Sequence, residues 1–107
     1  MTLVIEAYQL TRRFPRDEAY GLTAQIRRAA VSTPSNIAEG SKQGTTAALI
    51  QYLRHALGSN AELETQVEIA KRLRYGTPEM LDSVQSLAMR VSMMLGKLTA
   101  NLERSRS

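Results

Sequence analysis

The fold is decided by the stretch TAALIQYLRHALGSNAELETQVEIA, which runs from Thr46 to Ala70. Its apolar residues recur at alternating intervals of four and three, which is the spacing of one face of an α-helix. This face consists of Leu49, Leu53, Ala56, Asn60, Leu63, Val67 and Ala70, with Asn60 as its one polar member. With Thr45 or Thr46 as the N-cap, the pattern predicts a helix that continues to about Arg74.

Two further helices are predicted before this one. The first covers about residues 2–13 and ends before Pro15, because proline forces the residue before it out of the α region. The second covers Asp17–Glu39, with its first residue as the N-cap and Gly40 as a left-handed C-cap. Pro34 lies inside the second helix and removes a backbone donor, so we expect a kink or a short break there.

A fourth helix is predicted from Pro78 to Leu102. Gly76 fits the left-handed end of the preceding helix, and Thr77 fits the N-cap of the new one. The polar tail 103–107 is expected to fray, and no stretch of the sequence shows the alternation of a β-strand. Four helices with short links predict an all-α fold: an antiparallel up-down-up-down four-helix bundle with a short first helix.

Length and composition limit what this bundle can do. The 107 residues fit a single domain, residues 1–107, around one core. Cysteine is absent and histidine occurs once, which excludes disulfide frameworks, thiolate nucleophiles and Cys- or His-rich metal sites within one chain. We therefore expect no cofactor. No apolar run is long enough to span a membrane and no signal peptide is present, so we expect a soluble, cytoplasmic protein.

The sequence offers little support for catalysis. His55 has no acid or second histidine at a helical spacing that would orient it. Glu62 and Glu64 point to different sides of a helix, so they do not form a carboxylate pair, and the glycines form no phosphate-binding loop. We expect a protein that is not an enzyme.

The last two helices carry more apolar surface than one core requires. The additional residues are Ile50, Leu57, Ala61 and Ile69 on the third helix, and Met89, Met93, Gly96 and Ala100 on the fourth. Methionine and small residues in such rows allow close and adaptable packing against a second helix. We interpret the rows as an interface for self-association; the alternative is one wide face around a single core.

Basic residues gather at one end of the predicted bundle. They are Arg12, Arg13, Arg16, Lys71, Arg72 and Arg74, and four acids, Asp17, Glu18, Glu79 and Asp82, share that end. The excess of positive charge favours binding to a phosphate backbone, with Tyr20 and Tyr75 as the candidates for stacking on bases. The alternative is that these charges only complement the helix dipoles.

A polar stripe follows the second helix on the side away from its apolar face. It comprises Gln25, Arg28, Ser32, Asn36 and Glu39, and the third helix offers Glu62 and Glu64. We expect Arg27 or Arg28 to pair with Glu62 or Glu64, within the chain or across a subunit boundary, where such a pair would contribute specificity. An ordinary solvated helix face is the alternative.

The second helix and its flanks also resemble a known family. The matching segments are Phe14-Pro15-Arg16, Tyr20-Gly21-Leu22-Thr23, Gln25 to Ser32, Pro34 and Asn36 to Gly40, followed by Tyr52-Leu53, Ala56, Gly58-Ser59 and Glu62 to Gln66. Over most of residues 10–74, this pattern resembles the four-helix-bundle family that is also called the 23S rRNA intervening-sequence proteins. The match is specific, because the runs Gln25–Arg28 and Asn36–Gly40 have an unusual polar content for a helix.

The resemblance implies a four-helix bundle that assembles into a ring-like homopentamer. Some genes of this family lie in sequences that interrupt ribosomal RNA genes, and a related group assists reverse transcriptases and binds nucleic acid. The motif positions that carry over are Gln25, Arg27, Arg28, Asn36, Glu39, Glu62 and Glu64, none of which has an assigned catalytic role.

Together, the residues and the resemblance favour a homopentameric accessory or scaffold that binds RNA, DNA or a protein partner and has no membrane partner. The alternative is a purely structural or protein-interaction ring that binds no nucleic acid. Binding that weakens steeply with salt would distinguish the two hypotheses.

Overall fold

A computed structural model describes residues 1–106 of the chain, and within this range it contains four α-helices joined by short connections. The helices are α1 Thr2–Thr11, α2 Leu22–Ser41, α3 Thr46–Leu73 and α4 Pro78–Arg106, and a 3₁₀ helix, Arg16–Glu18, precedes α2. Each helix packs against its neighbour in the chain, and α1 also packs against α4. The predicted all-α fold, an antiparallel up-down-up-down four-helix bundle with a short first helix, is confirmed.

The bundle has a four-helix half and a three-helix half. α1 has 10 residues and α4 has 29, so at 1.5 Å per residue α1 covers only about 15 Å of a molecule that is 48 Å long. The larger core cluster includes Leu10 and Ile26 and draws on all four helices. The smaller cluster, around Leu53 and Leu95, includes no residue of α1.

The predicted face of α3 is buried except at its start, where Leu49 is half-buried. Ile50 lies outside that face in the sequence pattern but is only 3% exposed, and Leu57 is half-buried against the smaller core cluster. The prediction that these two residues form surplus surface is wrong. The reason is that α3 packs against both α2 and α4, so the bundle covers a wider arc of α3 than one stripe.

Both ends of α2 differ from the prediction. The helix begins at Leu22, and Asp17 is not its N-cap but part of the 3₁₀ helix. The Glu18 carboxylate satisfies the helix start, because its Oε1 accepts the Leu22 backbone N–H at 3.1 Å. Gly40 is a buried residue inside the helix and not a C-cap; a Cβ there would lie 2.8 Å from the Tyr52 Cβ. Glycine at this position therefore permits the close approach of α2 and α3.

Pro34 does not break α2, which is continuous from Leu22 to Ser41. On either side of the proline, the Thr33 hydroxyl donates to the Ala29 carbonyl at 3.3 Å, and Asn36 Nδ2 donates to the Ser32 carbonyl at 2.9 Å. These side-chain bonds add donors to the part of the helix where proline supplies no N–H. Neither bond reaches the Ala30 carbonyl, to which an N–H at position 34 would donate, and the expected break is nevertheless absent.

The predicted N-caps of the two long helices are confirmed. Thr45 Oγ1 accepts the Ala48 N–H at 3.2 Å, and Thr77 Oγ1 accepts the Met80 N–H at 3.2 Å. Each hydroxyl satisfies one of the backbone donors that a helix start leaves unpaired.

α3 ends at Leu73, close to the predicted end at about Arg74, whereas α4 extends beyond its predicted end at Leu102. Arg74, with φ 61°, takes the left-handed position that was predicted for Gly76, which itself has φ 76°. α4 continues to Arg106, so fraying over 103–106 is not observed, and Ser107 lies outside the described residues.

Candidate nucleic-acid interface

The α1–α2 and α3–α4 connections meet at one end of the bundle. The Tyr75 hydroxyl donates to Glu18 Oε2 at 3.0 Å, and the Tyr75 and Phe14 ring centroids are 5.4 Å apart. We call this end of the molecule the basic end, because it includes the predicted basic residues Arg12, Arg13, Arg16, Lys71, Arg72 and Arg74.

Two of these six residues have acidic partners along the side of the bundle. Lys71 Nζ lies 3.0 Å from an Asp82 carboxylate oxygen, and it donates to Gln85 Oε1 at 3.0 Å. Arg72 Nε lies 3.3 Å from Glu68 Oε1, one helical turn earlier. Both cations are in the last turn of α3, where they complement the helix dipole. For Lys71 and Arg72, the structure therefore favours the alternative that these charges complement the helix dipole and do not bind a phosphate backbone.

The other four basic residues are differently placed. Within residues 1–106, no ion pair or side-chain hydrogen bond engages Arg12, Arg13, Arg16 or Arg74, and all four are exposed. Arg12 and Arg13 also line a groove between α1 and α4, together with Gln9 and Met80. These guanidinium groups are free to bind an anion, and their planar geometry suits phosphate.

Glu18 organises the basic end, although from the sequence it is only one of four acids there. One carboxylate oxygen accepts the Leu22 backbone N–H and the other accepts the Tyr75 hydroxyl. The hydrogen bond to Glu18 raises the pKa of the Tyr75 hydroxyl, with smaller contributions from burial and from the negative charges of Glu18 and Asp17. Because the sequence placed the start of α2 at Asp17 and not at Leu22, it offered no signal that the Glu18 carboxylate satisfies the helix start. Glu18 joins the two connections that carry the free arginines.

Arg27 contacts α1, which corrects the predicted pairing with Glu62 or Glu64 within the chain. Its Nε donates to the Thr11 hydroxyl at 2.8 Å, and its guanidinium carbon lies 4.5 Å from the centroid of the Tyr8 ring. The pairing was predicted from the polar stripe on α2, which contains Arg28. Arg27 is the residue before Arg28, so it lies on a different side of α2 and contacts α1 instead of α3. Its role in the described chain is to fix α1 on α2.

Glu64 faces α4. Its Oε2 accepts the Ser92 hydroxyl at 3.1 Å, and the same hydroxyl accepts a hydrogen bond from Asn60 Nδ2 at 2.6 Å. Asn60, which is fully buried, also donates to the Ala88 carbonyl at 2.6 Å. This network explains the one polar residue on the apolar face of α3: it fixes the register between α3 and α4.

Three of the remaining motif residues line two adjoining depressions between α2 and α3. Gln25 lines one and Asn36 the other, where the Ser32 and Ser59 hydroxyls are 2.7 Å apart, and Glu62 lines both. Arg28 and Glu62 are exposed and form no pair with each other in the part of the chain that the structure describes. Glu39 is exposed outside both depressions and accepts a hydrogen bond from Gln43 at 3.3 Å. A pair between Arg28 and Glu62 across a subunit boundary stays a prediction.

His55 is the one histidine of the chain. His55 is exposed, and its nearest aromatic contact is the edge of Tyr52, with centroids 6.2 Å apart. Over residues 1–106, no three His, Cys, Asp or Glu side chains are grouped closely enough to hold a metal ion. In the same range, no helix is both long and apolar enough to cross a bilayer.

The class of protein is thus a four-helix bundle with a short first helix and a basic end built from two connections. The sequence profile described as 23S rRNA-intervening sequence protein matches residues 1–97, and the chain belongs to this family. This confirms the resemblance seen in the sequence.

The fold is also similar to a solved structure. That protein, of unknown function, is from the S23 ribosomal protein family of Bacteroides thetaiotaomicron VPI-5482; the TM-score is 0.73 and the sequence identity is 23% over 91% of this chain and 97% of that chain. No curated protein matches this chain. The likeness supports the fold over 91% of the chain.

Proposed function

We propose that this protein is a non-enzymatic, homo-oligomeric accessory or scaffold that binds nucleic acid through the basic end. The observation that carries the proposal is the set of four exposed arginines without ionic partners in the described chain: Arg12, Arg13, Arg16 and Arg74. Lys71 and Arg72 border this set but are held by acids, so they contribute less to binding.

Self-association is the second part of the proposal. Exposed apolar side chains remain on the surplus rows: Met89 is 52% exposed, Met93 64% and Ile69 44%. Ala61 and Ala100 are exposed beside them. Large apolar side chains in such rows favour an interface between copies, and the family resemblance implies a ring of five. In a ring, each copy adds its own free arginines, which multiplies the modest charge of a single chain.

The test of nucleic-acid binding is its dependence on salt. If four arginines of one subunit bind phosphates of a single strand, log K should fall against log salt with a slope of about −3. Raising the salt concentration fourfold should then weaken binding about 50-fold. A flat response, or no binding at low salt, contradicts this function.

A purely structural or protein-interaction ring is the second candidate. It is supported by the ion pairs of Lys71 and Arg72, which need no external partner, and by the same exposed methionines. In that case the ring forms but binds neither RNA nor DNA at low salt.

Light scattering tests the assembly in both cases. We expect a mass about five times that of one chain at micromolar concentration. A mass of about 12 kDa, that of one chain, contradicts self-association. A double change of Met89 and Met93 to Lys should lower the mass, because it places charge in the proposed interface. Changing the exposed residues Thr46 and Gln51 to Lys adds the same charge outside the two rows and is the matched control.

A further inference from the structure

Tyr20 differs from the other tyrosines of the chain in having no partner for its ring. The other three rings contact a cation or a second ring: Tyr8 contacts Arg27, Tyr52 contacts His55 and Tyr75 contacts Phe14. Tyr20 is 99% exposed, and within residues 1–106 no ring contact or hydrogen bond of its side chain is present. Of the two tyrosines considered for stacking, Tyr75 is engaged by Glu18 and Phe14, so only Tyr20 is available.

The backbone around Tyr20 is held on both sides. The Ala19 N–H donates to the Arg16 carbonyl at 3.1 Å, and the Gly21 N–H donates to the Glu18 carbonyl at 3.0 Å. Leu22, two residues after Tyr20, is buried and starts α2. The ring is therefore presented to solvent from a fixed turn, which lowers the entropy lost when it stacks on a ligand.

The neighbours of Tyr20 supply the other half of a nucleic-acid site. Arg16 lies in the 3₁₀ helix of the same connection, and Arg12 and Arg13 lie at its beginning. Single-strand binders combine cations that follow the phosphates with exposed aromatic rings on which bases stack. Along the length of a duplex both faces of each base are covered by its neighbours, so a lone exposed ring has no free face to stack on there, whereas an unpaired base offers one.

We propose that Tyr20 stacks on an unpaired base, so that the basic end binds single-stranded nucleic acid in preference to duplex. The inference rests on the proposed function, because the arginines supply the phosphate contacts. It adds the class of ligand and the residue that selects it.

The test compares the affinity for a single strand with that for a duplex. The probes are an oligouridine RNA of about 12 nucleotides, within the site sizes of single-strand binders, and an RNA duplex of the same length. Fluorescence anisotropy at constant low salt gives both dissociation constants for the natural protein, Tyr20→Ala, Tyr20→Phe and Gln51→Ala. Gln51 is the control, since it is exposed on the first turns of α3, at the other end of the bundle.

Tyr20→Ala should weaken single-strand binding about 5- to 140-fold, the range of one base stack. Tyr20→Phe should keep the affinity within about twofold, because phenylalanine retains the stacking ring. Gln51→Ala should have no effect, and none of these changes should alter duplex binding. Because Tyr20 contacts nothing in the folded chain, its variants should unfold at the same temperature as the natural protein.

Two results would overturn the inference while leaving the proposed function intact. One is an unchanged oligouridine affinity in Tyr20→Ala when changes at Arg12, Arg13 and Arg16 still weaken binding. The other is an equal loss for single strand and duplex. If the natural protein binds neither probe at low salt, the proposed function itself fails and the inference fails with it.

Discussion

Replacing Gly40 by Ala probes the closest approach of α2 to α3. A Cβ at this position would lie 2.8 Å from the Tyr52 Cβ and 3.2 Å from Leu49 Cδ1. The Tyr52 Cβ is attached directly to the α3 backbone and cannot rotate away, so the two helices must separate. Overpacking of this kind costs about 1–3 kcal/mol of unfolding free energy.

The cost is opposed by the preference of a helix for alanine. Ala in place of Gly in a helix interior stabilises by about 0.5–1 kcal/mol. Gly58→Ala isolates this second effect, because Gly58 lies inside α3 and an added Cβ there has no neighbour within 4 Å. The difference between the two variants therefore measures the overpacking alone, and we expect Gly40→Ala to be less stable than Gly58→Ala by about 1–3 kcal/mol.

Urea unfolding followed by far-ultraviolet circular dichroism measures this difference. All samples need the same protein concentration, since self-association would make the apparent stability depend on concentration. Equal stability of Gly40→Ala and Gly58→Ala would refute the close approach, and so would a higher stability of Gly40→Ala.

Two further predictions concern contacts between the elements of the four-helix half. Folding raises the pKa of Tyr75 above its ordinary value of 10. The stability that this hydroxyl contributes is therefore complete below about pH 10 and is lost as the pH rises through the raised pKa. In thermal unfolding from about pH 8 to 11, the natural protein should lose stability more steeply than Tyr75→Phe, and parallel curves would contradict the contact. Arg27→Ala should lower the unfolding free energy by about 1–3 kcal/mol, because it removes the hydrogen bond to Thr11 and the cation over the Tyr8 ring. The control, Arg90→Ala at an exposed position, should change it by less than about 0.5 kcal/mol. Similar urea midpoints for the two variants would contradict the role of Arg27 in fixing α1 on α2.

Periodicity predicts the fold because the face that each helix buries is visible in the sequence as a regular spacing of apolar residues. The α3 face from Leu53 to Ala70 was predicted residue by residue, and so were the hydroxyl caps at Thr45 and Thr77. These features depend only on residues within one or two turns of each other, which a single sequence contains in full. The same reasoning missed Ile50, because its burial depends on how wide an arc of α3 its neighbours cover.

The errors at the ends of α2 have a different cause. Glycine suits a helix end because it readily adopts positive φ, and it suits a close helix crossing because it has no side chain. The sequence does not show which of these two properties is used at Gly40. Arg27 was paired with the wrong helix because the partner of a long side chain depends on the rotation of α2 within the bundle. The basic end was located correctly from the order of the helices, but which arginines stay free depends on the positions of Asp82 and Glu68.

The most direct test of nucleic-acid binding by the basic end compares two variants of equal charge. One changes Arg12, Arg13 and Arg16 to Gln, and the control changes three exposed cations elsewhere to Gln. The control positions are Lys42, Lys97 and Arg106. Both variants lower the formal net charge from +4 to +1.

The measurement is the slope of log K for oligouridine against log salt for the natural protein and both variants. We predict that the basic-end variant loses about 2 from the magnitude of the slope, because three phosphate contacts to a single strand are removed. The control should keep the natural slope. Equal slopes for the two variants would contradict binding at the basic end, since the effect would then follow net charge and not position.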